Sequence, residues 1–302
     1  MLSDRKTVLP KNLIELAKKR GKVKAVIVNA GIPVTIESTK LAYELGLIEP
    51  IMVGNQKIIE KECKAQNWDI TKFKIINEEE EDNTADKATE ISLKENAEII
   101  VKGFIHTDVL LKSVLQRKYR LIGRERVSHV WHMTLNENDK PLIITDGVVN
   151  ILPKTETKLQ IIKHAINFSE KIGINKPKIA ILSATEVVLD NIPSTQEAAE
   201  ITKIANERDF NAEIFGPLAF DNAISPKAAE IKKIKNSVAG KADILLVPSV
   251  EMGNALVKMM VYFMGACAAG TLVGLKKPVS IISRSDNTQS RLASIAASII
   301  VS

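Results

Sequence analysis

Ser283, Arg284, Ser285 and Asp286 stand in a row where the largely apolar run Val279–Ile282 gives way to a helical pattern. Side chains of these types can do definite chemistry. A guanidinium grips phosphate oxygens as a fork. A hydroxyl donates to a developing oxyanion, and a carboxylate takes up a proton. If the helix opens near Ser285, its free N–H groups attract an anion as well. Its apolar stripe is then Leu292, Ile295, Ala296 and Ile299. Asp286 and Ser290 lie on the opposite face, and Arg284 and Arg291, seven residues apart, share a side. A plainer account fits the same residues: Ser285 caps the helix, Asp286 favours its dipole, and both arginines are solvated.

Such groups need a frame. Short apolar runs ending in polar or glycine residues recur at Ala25–Gly31, Pro50–Asn55, Glu98–Thr107, Pro141–Asn150, Lys178–Thr185, Asp243–Asn254 and Pro278–Asp286, with helical patterns between them. Continuous rather than alternating apolar runs indicate strands covered on both faces, as in a parallel sheet. The fold class is therefore α/β. Thr155 or Thr157 is the expected N-cap of one helix, with Gly173 just past its end. Ser194-Thr-Gln-Glu197 fits a capping box opening another. The apolar stretch Asn254–Gly274 carries Asn254 and Lys258 and is rich in Gly and Ala, so it reads as a closely packed buried helix rather than a membrane span. The acidic run Glu78–Asp82 reads as a solvated loop or edge. Ligands of such sheets bind beyond the carboxyl ends of the strands. Attention thus falls on Asn29, Gly103, His106, Thr107, Asp146, Ser183, Glu251, Asn254, Ser283 and Arg284.

Composition narrows the classes. The chain has 302 residues, 45% hydrophobic and 26% charged, which suits two modest soluble domains or one large one. With 12 aromatic residues, 7 Phe, 2 Trp and 3 Tyr, the core must be aliphatic. The net charge of +6 is compatible with small anionic ligands. Its lysines are scattered without interleaved aromatics, which argues against nucleic acid. The two cysteines, Cys63 and Cys267, give no disulfide framework, and the first residues show no apolar signal core. The expectation is a cytoplasmic protein with no membrane association.

Familiar fingerprints are missing. No G-x-G-x-x-G follows the first strand, and Gly21-Lys22 and Gly240-Lys241 lack the Ser/Thr of a phosphate-binding P-loop. There is no G-x-S-x-G elbow. His129 and His132, three apart on a strand, point to opposite faces, and no third ligand lies near them in sequence; no metal is expected.

Taken in order, VKGFIHTDVLLKSVL, SHVWHM, LIITDGVVNILPKTETKLQIIKHAI, ADILLVPSVEMGNALVKMMVYFMGACAAG and KKPVSIISRSDNTQSRLASIA resemble the phosphate acetyl/butyryl transferase family, from about Glu98 onward. The ending and the chain length are more similar to the butyryltransferase branch. The resemblance implies two α/β domains with a cleft between them and mostly parallel sheets, as in isocitrate and isopropylmalate dehydrogenases. The expected boundaries are 1–139 plus 270–302 for one domain and 140–269 for the other. It implies reversible transfer of a short acyl group, butyryl or acetyl, between coenzyme A and orthophosphate. The partners are then acyl-CoA or CoA and phosphate, with no bound cofactor and coenzyme A as substrate. A homodimer or larger assembly is expected. Two alternatives stand beside this: a metal- and NAD(P)-dependent dehydrogenase on the same fold, and a CoA-binding module without turnover.

Carried over position by position, the family's serine and arginine fall on Ser283 and Arg284. Its E-x-G-N element falls on Glu251, Gly253 and Asn254, with Lys258 one turn on, and its H-[ST] element on His106 and Thr107. An arginine of many members is Lys112 here, which keeps the charge and loses the fork. Ser249 stands where many members are acidic. The aspartate of acetyl-type members, suited to take the CoA thiol proton, corresponds to Ser290. Asp286 is the substitute base, with Ser283 and Arg284 as the other catalytic residues. Arg291 is expected to bind the phosphoryl group or the CoA phosphates.

Overall fold

The computed structural model describes residues 2–137 and 139–302. Its elements run α1 (Lys11–Lys19), β1 (Val23–Val28), α2 (Pro33–Glu44), β2 (Ile48–Gly54), α3 (Gln56–Ala65), β3 (Lys74–Asn77), α4 (Glu81–Lys94), β4 (Ile99–Lys102) and α5 (Thr107–Val114). There follow β5 (Ser128–Thr134), β6 (Leu142–Thr145), α6 (Thr155–Lys171), β7 (Lys178–Leu182), α7 (Pro193–Glu207), β8 (Glu213–Leu218), α8 (Phe220–Ile224), α9 (Pro226–Ile231), β9 (Ile244–Leu246), α10 (Val250–Met264), β10 (Cys267–Val273), β11 (Val279–Ser280) and α11 (Thr288–Val301).

The chain separates into two compact units. The first is chiefly Thr7–Val127 with Cys267–Ser302. The second is chiefly Ser128–Leu135 with Asp139–Ala266 and the start of the chain. In the first unit the strand order is β3-β2-β1-β4-β11-β10. All neighbours are parallel except β10 and β11. In the second unit the order is β5-β6-β9-β7-β8, antiparallel at β5–β6 and parallel elsewhere. The α/β class with mostly parallel sheets is thus the architecture found.

The first unit's core explains why its strands read as apolar runs. Residues Ala25–Val28 of β1 and Ile99–Val101 of β4 are buried. Every residue of α11 from Ser290 to Ile300 is buried too, and its hydroxyls are satisfied. Ser294 Oγ accepts from Gly270 N at 2.9 Å, and Ser298 meets Thr271 at 2.9 Å. The hydroxyls thus bond the helix to β10.

Several sequence expectations change. The stretch after Asn254 is not one helix: α10 ends at Gly265, whose φ of 68° is a left-handed C-terminal cap, and the chain resumes as β10. Both segments are apolar, so pattern alone does not separate them; β10 is buried throughout, whereas α10 buries only Gly253, Val257 and Met260 and is not the buried helix expected. β8 escaped notice because Gly216 and Pro217 read as a turn; it lies at the end of its sheet, where proline is tolerated. No capping box forms at Ser194, because α7 already begins at Pro193. Thr195 donates instead to Ile192 O, and Glu197 pairs with the buried Lys158. Thr155 is the first residue of α6, and Lys154 occupies the cap. Among the described residues no helix is long and apolar enough to cross a membrane.

Candidate active site

Gly103 brings β4 to an end against β1. A Cβ there would lie 2.3 Å from the Val28 carbonyl oxygen and 2.4 Å from that of Asn29, so only glycine fits. Gly103 N and Phe104 N donate to those two oxygens, at 2.8 and 3.0 Å. Asn29, left-handed at φ 53°, returns a bond from Nδ2 to Phe104 O at 2.6 Å. The backbone is thereby fixed up to His106, the residue capping α5.

His106 is held from one side and used from the other. Glu81, first residue of α4, accepts from His106 N at 2.6 Å and from Nδ1 at 2.8 Å. Nε2 stands 3.0 Å from Arg284 Nη1. A guanidinium only donates, so Nε2 is the acceptor and the proton sits on Nδ1, facing the carboxylate. Burial raises the Glu81 carboxyl, but the His106 hydrogen bonds and the nearby Arg284 charge outweigh it and hold the group below the usual carboxylate range. The Arg284 guanidinium also lies 5.7 Å from the centre of the Phe104 ring. The acidic run, expected to be solvated, thus supplies the anchor of the histidine; nothing in its sequence marks Glu81 apart from its neighbours.

The loop carrying Ser283–Asp286 is pinned locally. Asp286 Oδ2 accepts from Ser283 N at 2.7 Å, and the Ser283 and Ser285 hydroxyls lie 3.0 Å apart. The helix starts later than expected, at Thr288, where Asn287 caps it by accepting from Ser290 N. The Ser290 N–H of its first turn is therefore spent on Asn287, and Asp286 belongs to the loop. Ser290 points inward, bonded from Ala268 N and toward Cys267 Sγ, so the acetyl-type aspartate position faces the core here.

Arg291 is not presented to solvent. It is 0% exposed and donates to the carbonyl oxygens of Asp286, Ser283 and Arg284 at 3.2, 3.1 and 3.4 Å. Its place is that of a brace under the loop, not a hand for CoA phosphates. Thr107 opens α5 half-buried. Lys112, farther along α5, lines a hollow of about 220 Å³ with Asp82, Asp86 and Gln116.

In the second unit, Glu251, Gly253 and Asn254 occupy the first turn of α10, behind Ser249 at its cap, and Lys258 follows one turn on. The Ser249 hydroxyl holds the Glu251 carboxyl below its ordinary range. Asn254 is exposed. Gly253 is buried, and a Cβ on it would stand 2.7 Å from Gly147 Cα; its role is close packing of two chain segments. His129 and His132 are both buried in β5, and burial pulls the His132 imidazole down to about 4. Among the described residues no group of three or more His, Cys, Asp or Glu is placed to hold a metal ion.

A family model described as phosphate acetyl/butaryl transferase matches residues 82–299. The chain belongs to this family. A phosphate acetyltransferase of Rickettsia felis is 40% identical over 255 residues, 84% of this chain and 73% of that protein. A phosphate butyryltransferase of Clostridium acetobutylicum is 33% identical over 290 residues, 96% of each chain. Among solved structures, a branched-chain phosphotransacylase from Enterococcus faecalis V583 superposes with a TM-score of 0.78 at 30% identity, covering 92% of this chain and 98% of that one. The family match begins within the acidic run, at Asp82, and takes in the Ser283–Arg284 loop and the whole of α10.

Proposed function

We propose that this protein is an acyltransferase that moves a short acyl group, butyryl or acetyl, reversibly between coenzyme A and orthophosphate. Membership of the phosphate acetyl/butyryl transferase family supports the reaction. The observation that carries it to particular residues is the contact of Arg284 with a histidine whose tautomer is set by Glu81.

In the thioester-forming direction the CoA thiolate attacks the carbonyl carbon of an acyl phosphate. The carbon–oxygen bond to phosphorus breaks, and phosphate leaves with its electron pair. A free thiol titrates near ~8.5, so neutral pH calls for a base. Asp286 takes the thiol proton, and the Ser283 hydroxyl donates to the carbonyl oxygen as charge develops on it. Arg284, steadied by His106, holds the phosphoryl group. Thr107, Glu251, Asn254 and Lys258 serve substrate binding, and holding both substrates in register supplies much of the rate. The half-buried Asp286, pinned to Ser283 N, supports a base on a fixed loop. No bound cofactor enters this scheme. A cytoplasmic homodimer or larger homo-oligomer completes the reading.

The test is thiol release from a panel of acyl-CoAs with and without phosphate. Phosphate-dependent release from short chains is the expected result. Release indifferent to phosphate, or none from any chain, overturns the reading.

A further inference from the structure

Among the described residues the two largest fully buried side chains are both cations, Arg291 and Lys102. The brace made by Arg291 accounts for the first. Lys102 has no part in the chemistry above, yet it ends β4, at the carboxyl end of the first unit's parallel strands. Lys102 adjoins Val28 on β1, and the preceding Val101 pairs with Ser280, the last residue of β11 before the Ser283–Asp286 loop. It is 1% exposed.

Charges of both signs act on it. Arg291 from α11 and Arg284 from the loop oppose its proton; Asp286 from the loop and Glu81 from α4 favour it. Glu81 is already engaged by His106, and Asp286 by Ser283 N. Arg291 spends its N–H groups on carbonyl oxygens, which cancel no formal charge. Two of these cations, Lys102 and Arg291, are buried while Arg284 is exposed, so positive charge gathers where an uncompensated buried charge is costly. A surplus of this kind is what an anionic ligand relieves.

We propose that Lys102 forms the buried half of the phosphate site, its ammonium sharing the phosphoryl group with the exposed Arg284 guanidinium. The inference rests on the acyl-transfer reading and adds to it the residue that neutralises the second phosphate charge. Burial pulls the Lys102 ammonium down to about 8, with Arg291 and Arg284 adding to the effect, so it is mostly charged at neutral pH and neutral above pH 9. Phosphate is a dianion throughout that upper range, so any weakening there belongs to the protein.

The test uses the full chain, Lys102→Met, and inorganic phosphate as probe. Methionine matches the lysine stem in length and removes a buried charge, so the variant is expected to fold; Lys102→Gln is the second variant. In the wild type, phosphate raises the thermal midpoint, and the phosphate KM climbs severalfold from pH 7.5 to 9.5. In either variant the phosphate-induced shift is lost, the phosphate KM rises at least ~10-fold and ceases to climb with pH, and the acyl-CoA KM stays within ~2-fold. Equal phosphate shifts in variant and wild type overturn the proposal, as does a rise of both KM values together, which marks a packing role. If the wild type shows no phosphate-dependent thiol release, the acyl-transfer reading fails instead, and the thermal comparison still decides whether Lys102 binds phosphate.

Discussion

Glu81 decides which nitrogen of His106 meets Arg284. Glu81→Gln keeps the size of the side chain and can present an amide N–H to Nδ1, which reverses the tautomer and turns Nε2–H toward the guanidinium. We expect kcat/KM to fall about 10-fold, near 1.4 kcal/mol, with the loss concentrated in the phosphate KM. An unchanged phosphate KM in steady-state assays would dismiss the relay. Asp286→Asn retains an oxygen to accept from Ser283 N and loses the base. A kcat reduced by less than about 10-fold would remove Asp286 from the proton transfer. Lys102 also sets a pH effect on stability. Unfolded, it binds its proton up to 10.5; folded, it releases it near 8. Between these values the unfolded chain holds more protons, so the Lys102 contribution to stability rises with pH and its penalty is full below 8. Lys102→Met should therefore stabilise the fold at pH 7 by up to about 3 kcal/mol, an advantage that shrinks toward pH 10.5. Chemical denaturation at pH 7, 8.5 and 10 measures it.

Position relative to strand ends made much of the first unit's cluster legible. Ser283, Arg284, His106, Gly103 and Asn29 all close apolar runs, and those are the residues the fold gathers. Lys102 was hidden because a charge at the end of the run IIVK reads as punctuation, and its burial depends on α11, arriving from far along the chain. Glu81 was hidden among identical neighbours. The start of α11 was misplaced by three residues because Ser285 and Asn287 are both competent caps. The choice falls to Asn287 once Asp286 is engaged by Ser283 N. At this scale Gly103 is the position most exposed to substitution. Gly103→Ala forces a methyl into two carbonyl oxygens. We expect a loss of about 3 kcal/mol or more, and a proportionally larger loss of activity because His106 moves with the backbone. A melting curve within 2 °C of the wild type would contradict that.

At the scale of the molecule, the first unit is stitched from residues on either side of the second: β4 finds its neighbour β11, and α2 its partner α11, across more than a hundred and fifty intervening residues. A polypeptide ended at 266 lacks the strand that covers one flank of β4 and the helix that fills the unit's interior. We expect its β1 and β4 amides to exchange with solvent at least ~100-fold faster than in the complete chain. Retained protection would show that Thr7–Val127 holds together unaided. During synthesis the consequence is one of timing. The early segment must wait, its hydrophobic edge open, while the middle of the protein is being translated, so this chain has a built-in window in which chaperone capture or aggregation competes with completion.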